Sequence, residues 1–145
     1  MMGNSRMRIR DYQPGDEKKI TPNDFMSDWE SDKYDNKWAL ENGMSHTIVD
    51  DNGVIQAVVN YFPVEGHDDL LYGWFLRDIR ANPMFIKKVK EIVKFYLQNN
   101  FKVCTMSKEG PMQDKMHRYL GFEKRGKKGG YQLWVAHQKK LGTKL

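Results

Sequence analysis

The strongest periodic stretch of the chain lies between positions 82 and 98. Apolar residues at Phe85, Val89, Ile92 and Tyr96, with Ile86, Val93 and Leu97 beside them, recur at the spacing of a helix lying on a core. Lys87, Lys88, Lys90, Glu91 and Lys94 fill the other face. Asn82 offers an N-cap, and Pro83 suits the first helical position, where a missing N–H costs nothing. Asn99 and Asn100 can stop the helix. Short apolar runs at 70–76 and 101–106 bracket it and read as buried strands. Strand, helix and strand in this order predict a parallel pair joined by a crossover. Beyond it, Met112, Met116 and Tyr119/Leu120 form the expected inner stripe of a further helix, with Gly121 just past its end.

The remaining patterns are shorter. Residues 7–12 read as a first strand. Thr21, Pro22 and Asp24 look like a helix start, with Phe25, Met26 and Trp29 inward. A second short helix is predicted over 33–40, with Trp38 and Leu40 inward and Gly43 past its end. Runs at 45–50 and 54–63 flank Asp51-Asn52-Gly53, a hairpin signal that predicts a type I′ turn with positive φ at both central residues. Runs at 122–125 and 131–137 flank a loop from Gly126 to Gly130 and predict a closing hairpin. The order is β, α, α, β, β, β, α, β, α, β, β. A single domain over 1–145 is expected, with an ordered core over about 7–137 and fraying ends at 1–5 and 141–145.

Composition narrows the class. Hydrophobic residues at 39% and aromatics at 12% indicate a globular chain, and a charged fraction of 30% with a mean hydropathy of −0.77 indicates a soluble one. No apolar run approaches the ~20 residues that span a bilayer, and the first ten residues lack a secretory core, so a cytoplasmic protein is expected. The single Cys104 excludes an internal disulfide and reads as a small buried hydrophobe rather than a catalytic thiol. A net charge of +5 and a pI near 9.2 favour anionic partners: a phosphorylated cofactor, nucleic acid or an acidic protein. The acids Asp24, Asp28, Glu30, Asp32 and Asp35 read as a solvated face or as a lip attracting a cationic amine. His46, His67, His117, His137 and Cys104 show no metal-ligand spacing, so no metal is expected. No P-loop, nucleophile elbow or dinucleotide fingerprint is present.

The element order, with MHRYLGFEKRG closing the last helix, resembles the Gcn5-related N-acetyltransferase (GNAT) superfamily from about position 7 to 135. More closely, 73–122 is similar to GNAT-like proteins of tailed bacteriophages, some identified as acetyltransferases and others as internal virion proteins. The resemblance implies an α/β (α+β) fold: a mixed, mostly antiparallel sheet of 6–7 strands, one parallel βαβ crossover and flanking helices. It implies acetyl-CoA in the wedge where the strands 70–76 and 101–106 splay. The diphosphate would lie at the start of the long helix, on Leu76, Arg77, Asp78, Ile79, Arg80, Ala81 and Asn82. Family members usually carry Arg/Gln-x-x-Gly-x-Gly/Ala there. This loop has no glycine; Arg77 and Arg80 suit a diphosphate, and Asp78 opposes one. The family's acid is often a tyrosine four residues before the Gly-Phe pair. Here that position is His117, with Asp69 and His67, then Glu65, Asp68 and His46, as candidate bases. The frequent asparagine at the start of that helix is replaced by Glu109-Gly110.

Three readings follow. The first is an acetyl-CoA-dependent N-acetyltransferase acting on a primary amine of a small molecule or protein. The second is a catalytically silent bacteriophage protein with a virion or host-interaction role and a protein partner, located in the host cytoplasm or the virion. The third is a nucleic-acid binder, disfavoured because Tyr131 and Trp134 face opposite sides of a strand. A monomer or homodimer with no membrane contact is expected.

Overall fold

Strand-forming runs become seven strands: β1 (Arg8–Asp11), β2 (Met44–Val49), β3 (Ile55–Pro63), β4 (Leu70–Arg77), β5 (Lys102–Lys108), β6 (Glu123–Lys128) and β7 (Tyr131–Ala136). The computed structural model describes residues 6–21 and 36–138. The predicted helix after Thr21, the acidic stretch from Asp24 to Asp35 and both chain ends lie outside them. The helices are α1 (Asn36–Asn42), α2 (Phe85–Gln98) and α3 (Pro111–Tyr119), and a 3₁₀ turn covers Asp16–Lys19. Strand order is β1-β2-β3-β4-β5-β7-β6. β4 and β5 run parallel and are connected through α2, while β1–β2, β2–β3, β5–β7 and β6–β7 are antiparallel. The β4–β5 register covers Leu70↔Lys102 to Tyr72↔Cys104.

Among the described residues the chain divides into two compact units, 6–21 with 36–62 and 73–89, and 63–72 with 90–138. The first is built on β3, in which every residue from Ile55 to Tyr61 is buried. Such a run, without alternation, marks a strand covered on both faces. Ile20, Leu40, Val49, Ile55, Val58 and Leu76 form its core, with Tyr12 and Trp74 packed against them. Leu40 is inward as expected, but Trp38 is 52% exposed and meets the Phe62 ring at a tilt of 44°.

A buried polar hub ties the first strand down. The Asp16 carboxylate accepts two bonds from Arg10 (2.9 and 3.1 Å), one from the Gln13 N–H (2.9 Å) and one from the Thr47 hydroxyl (2.7 Å). Burial alone would raise its pKa, but these donors outweigh burial and hold it below the ordinary carboxylate value. The β2–β3 turn is not type I′. Among the described non-glycine residues only Asn100 has positive φ, so Asn52 does not. The Gly53 N–H reaches the Asp50 carbonyl (3.0 Å), Gly53 takes φ 78°, and the Asp50 side chain accepts from the Asn52 and Val54 N–H groups. This is a turn followed by a left-handed glycine, selected by the aspartate before it. The primed geometry occurs instead in the last hairpin, where Gly129 and Gly130 have φ of 58° and 85° and β6 continues through Lys128.

α2 follows its pattern: Phe85, Val89, Ile92, Val93 and Tyr96 are buried, each contributing roughly 1.5–3 kcal/mol of hydrophobic stabilisation. Its end is a Schellman motif with Asn100 in the left-handed position (φ 71°). The Phe101 N–H bonds the Tyr96 carbonyl (3.0 Å) and the Asn100 N–H the Leu97 carbonyl (3.2 Å). α3 departs from its pattern. Leu120 is buried as expected and Met116 partly so, but Met112 is 84% exposed and Tyr119 is 40% exposed, whereas His117 is buried. The inner face therefore runs through His117 and Leu120, with Met116 beside it and Met112 outside it.

Candidate functional site

The joint between β4 and α2 is where an acyl-CoA diphosphate is expected, so the state of its N–H groups decides what it can hold. The Asp78 N–H donates to the Gln56 carbonyl (2.9 Å), Ile79 to the Thr21 carbonyl (2.7 Å) and Ala81 to the Asp78 carbonyl (3.0 Å). The Arg80 N–H donates to the Asp78 carboxylate (2.9 Å), and the Asn82 N–H to Gln56 Oε1 (2.8 Å). Pro83 has no N–H. Met84 donates to the Asn82 side chain (2.9 Å), so Asn82 is the N-cap the sequence indicated. Phe85, Ile86 and Lys87 donate to the carbonyls of Asn82, Pro83 and Met84 (2.9, 3.2 and 3.1 Å). Every N–H from Asp78 to Lys87 therefore has a protein acceptor.

Asp78 organises the loop. It is 5% exposed, and its second oxygen accepts the Thr21 N–H (2.8 Å), with Arg80 Nε at 3.4 Å from the first. Burial pushes its pKa up, but the Thr21 and Arg80 donors prevail and hold the group below the ordinary carboxylate value. An ionised carboxylate thus sits among the N–H groups that a diphosphate would need. Leu76 and Ala81 are buried, Ile79 is 51% exposed, and the Arg77 guanidinium lies 5.6 Å from the Phe85 ring centre with Nε unpaired. These residues do not fit a diphosphate held on backbone N–H groups at a helix start. Such a ligand would have to displace internal acceptors and lie against a buried anion.

The sequence-derived catalytic candidates are dispersed. His117 is 5% exposed, its Nδ1 is 2.7 Å from the Gln113 carbonyl, and its ring stacks on Trp134 (4.9 Å, 14°) and meets Phe122 edge-on at 6.0 Å. The carbonyl can only accept, so Nδ1 carries the proton in the neutral ring. Burial lowers the His117 pKa more than the Gln113 carbonyl and Asp114 raise it. It is therefore a buried histidine, packed between two aromatic rings. Trp134 is fully buried, and its indole N–H donates to Ser107 Oγ (2.9 Å).

His67 and Asp69 are exposed in the loop before β4, with Glu65 and Asp68. The Asp69 carboxylate lies 3.8 Å from Lys102 Nζ, both side chains about half exposed. Asp69 precedes the eight-residue β4, and Arg77 is its last residue. His46 lies on β2 opposite Asp11, and burial lowers its pKa. Cys104 is buried in β5, and burial raises its thiol pKa. Among the described residues no cluster of His, Cys, Asp and Glu is placed to hold a metal, and no helix is long and apolar enough to cross a membrane.

The loop also lines a cleft of about 530 Å³ together with Arg10, Lys19 and the β2–β3 hairpin. Sequence reasoning missed Arg10, Lys19 and Gln56 here. They come to the cleft from far along the chain, and no local motif marks them.

No family model matches the sequence, and no curated protein matches it. Solved structures do. A chimera of spermidine N-acetyltransferase from Vibrio cholerae and hSSAT superposes with a TM-score of 0.70 at 12% identity, over 92% of this chain and 96% of that one. Spermidine N-acetyltransferase from Vibrio cholerae in complex with CoA and spermine gives 0.67 at 14% identity, over 91% and 94%. A GNAT-family acetyltransferase from Listeria monocytogenes gives 0.64 at 17% identity, over 91% and 95%. The chain has the GNAT acyl-CoA N-acyltransferase fold over nearly its whole described length. At these identities the likeness is one of fold.

Proposed function

We propose that this chain uses the GNAT fold without CoA-dependent acyl transfer and acts as a single-domain component that works by binding a partner. One observation carries the reading: the N–H groups from Asp78 to Lys87 are all engaged internally, around a buried Asp78 carboxylate. A protein selected to hold a diphosphate there gains from open N–H groups and loses by placing an anion among them. The resemblance of 73–122 to GNAT-like proteins of tailed bacteriophages points the same way, towards a virion or host-interaction role.

The fold comparisons favour a second reading, an acetyl-CoA-dependent N-acetyltransferase for a primary amine. The three solved structures compared above are acetyltransferases, one of them in complex with CoA and spermine. That reading requires Arg77 and Arg80 to hold the cofactor by side chains alone, His117 to give a proton and His67 or Asp69 to take one.

Isothermal titration with acetyl-CoA near physiological salt separates the two. The expected result is no heat, and no thermal stabilisation, up to millimolar ligand. Micromolar binding, about −8 kcal/mol, would replace the first reading by the second. The Arg77→Ala, Arg80→Ala double variant would then report whether the loop carries the affinity.

A further inference from the structure

We propose that the outer face of α2 and α3, within the second compact unit, is a docking surface for single-stranded nucleic acid. Lys90 joins the two helices: its ammonium lies 4.4 Å from the centre of the Tyr119 ring. Lys94 follows one turn along α2, Lys115 stands one turn before Tyr119 on α3, and Arg118 adjoins it. All four cations are exposed, and Tyr119 is 40% exposed among them.

The charges of this band are open to a ligand. Among the described residues, none of Lys90, Lys94, Lys115 and Arg118 takes part in an ion pair. Lys90 is held by the Tyr119 ring and Arg118 by the Trp134 ring, at 5.7 Å from its centre. Rings hold a cation in place without neutralising it. The acids on these stretches are Glu91 and Asp114. Glu91 points about 100° round α2 from Lys90. The Asp114 carboxylate already accepts from Lys124 (3.2 Å) and Gln132 (3.0 Å).

The layout favours a polyanion over a single phosphate. Packed helices stand ~8–10 Å apart, so the cations are strung along a band instead of converging on one point. An exposed ring within such a band gives a base a face to stack on, beside cations that track the backbone. An acidic protein segment would use the cations and leave Tyr119 idle. The ring in question is not one of the Tyr131–Trp134 pair, of which Trp134 is fully buried. The overall charge of +5 draws polyanions towards the surface as well. Lys90 lies beyond the first turn of α2, so the band is separate from the β4–α2 joint. The proposal goes beyond the partner-binding reading and does not depend on it, because oligonucleotide binding and the acetyl-CoA titration can succeed or fail separately.

The test is fluorescence anisotropy of a labelled oligothymidylate of about 15 nucleotides, titrated with the full chain at several salt concentrations. Saturable binding is expected with a Kd below about 100 μM in about 50 mM salt, and log Kd should rise with log salt at a slope of about 3, for roughly four phosphates contacted. The Lys94→Ala, Lys115→Ala double variant should bind about tenfold more weakly and lose about 1.4 from that slope. Tyr119→Ala should lose about fivefold or more with the slope unchanged. Lys128→Ala, an exposed cation on β6 outside the band, should bind as the wild type does. Unchanged melting temperatures will show that the variants are folded. Four results would each overturn the proposal: no anisotropy change up to about 100 μM protein in about 50 mM salt, wild-type affinity in the double variant or in Tyr119→Ala, an equal loss in Lys128→Ala, or polyglutamate displacing the label as well as unlabelled oligonucleotide does. The last would assign the band to an acidic protein.

Discussion

The start of α2 and the end of α3 lie in the two stretches that give this chain its family likeness, and they are completed by opposite means. At the end of α3 the backbone does the work. Gly121 takes φ 98°, the Phe122 N–H bonds the His117 carbonyl (3.0 Å), and the Gly121 N–H bonds the Arg118 carbonyl (3.1 Å). The His117 and Phe122 rings then meet across the motif, as the residues flanking a Schellman turn do. At the start of α2, side chains do the work. Asn82, Gln56 and Asp78 supply acceptors to N–H groups that a glycine-rich loop would leave open. The Gly-Phe pattern is thus a helix-ending device, and the fold alone requires it. A ring four residues before the glycine is held by that device whatever chemistry the protein performs. The loop at α2 is closed in this chain by its own Asp78 carboxylate.

Substitutions can sharpen this contrast, beginning with the largest effect. Trp134→Ala removes the fully buried ring on which His117 stacks and should cost about 3–5 kcal/mol in urea unfolding. A loss under about 1 kcal/mol would mean that stacking does not hold the α3 end. Asp78→Asn should cost about 2 kcal/mol, because a charged acceptor shared by two backbone donors is lost. The wild-type Asp78 carboxylate titrates below its ordinary value. Its stabilisation is therefore present above about pH 3.9 and is lost as pH falls through the lower folded pKa. Unfolding free energies from pH 7 to pH 3 should fall less steeply in the variant, and parallel curves would remove Asp78 from its central place in the loop.

A smaller effect separates the two Schellman ends. Gly121→Ala should cost about 1 kcal/mol, because alanine is strained at this φ, whereas Asn100→Gly should be near neutral. Equal effects would imply that one of the motifs is not maintained in solution. The smallest effect is the titration of His117. Burial lowers its folded pKa, so the unfolded chain takes up a proton near pH ~6.5 that the native chain refuses. Stability should decline as pH falls from 7 towards 5, and the decline should shrink in His117→Phe. An unchanged slope in that variant would assign the proton uptake elsewhere.

Much of the fold was legible because its signals are local. The stripe from Phe85 to Tyr96, the cap at Asn82 and the stops at Asn100 and Gly121 are written within single elements. The inner face of α3 was misread because methionine counts as apolar and histidine does not. Packing between Phe122 and Trp134 nevertheless turns His117 inward and leaves Met112 in water. The β2–β3 turn was mistyped because Asp50 selects its geometry by side-chain bonds to Asn52 and Val54. The loop at α2 was legible only as a missing glycine pattern. What closes it comes from Thr21, 57 residues before Asp78, and Gln56, 26 residues before Asn82. No window along the chain brings these together.

Cys104 has a practical consequence. It is the chain's one cysteine, 9% exposed in β5 at the last pair of the parallel register, opposite Tyr72. Its thiol is shielded from reagents by packing and from ionisation by a raised pKa. A thiol-reactive dye can reach it only when this strand pair breathes. The rate of labelling in native buffer is then a clock for opening at the centre of the crossover, built into the natural sequence without an added probe.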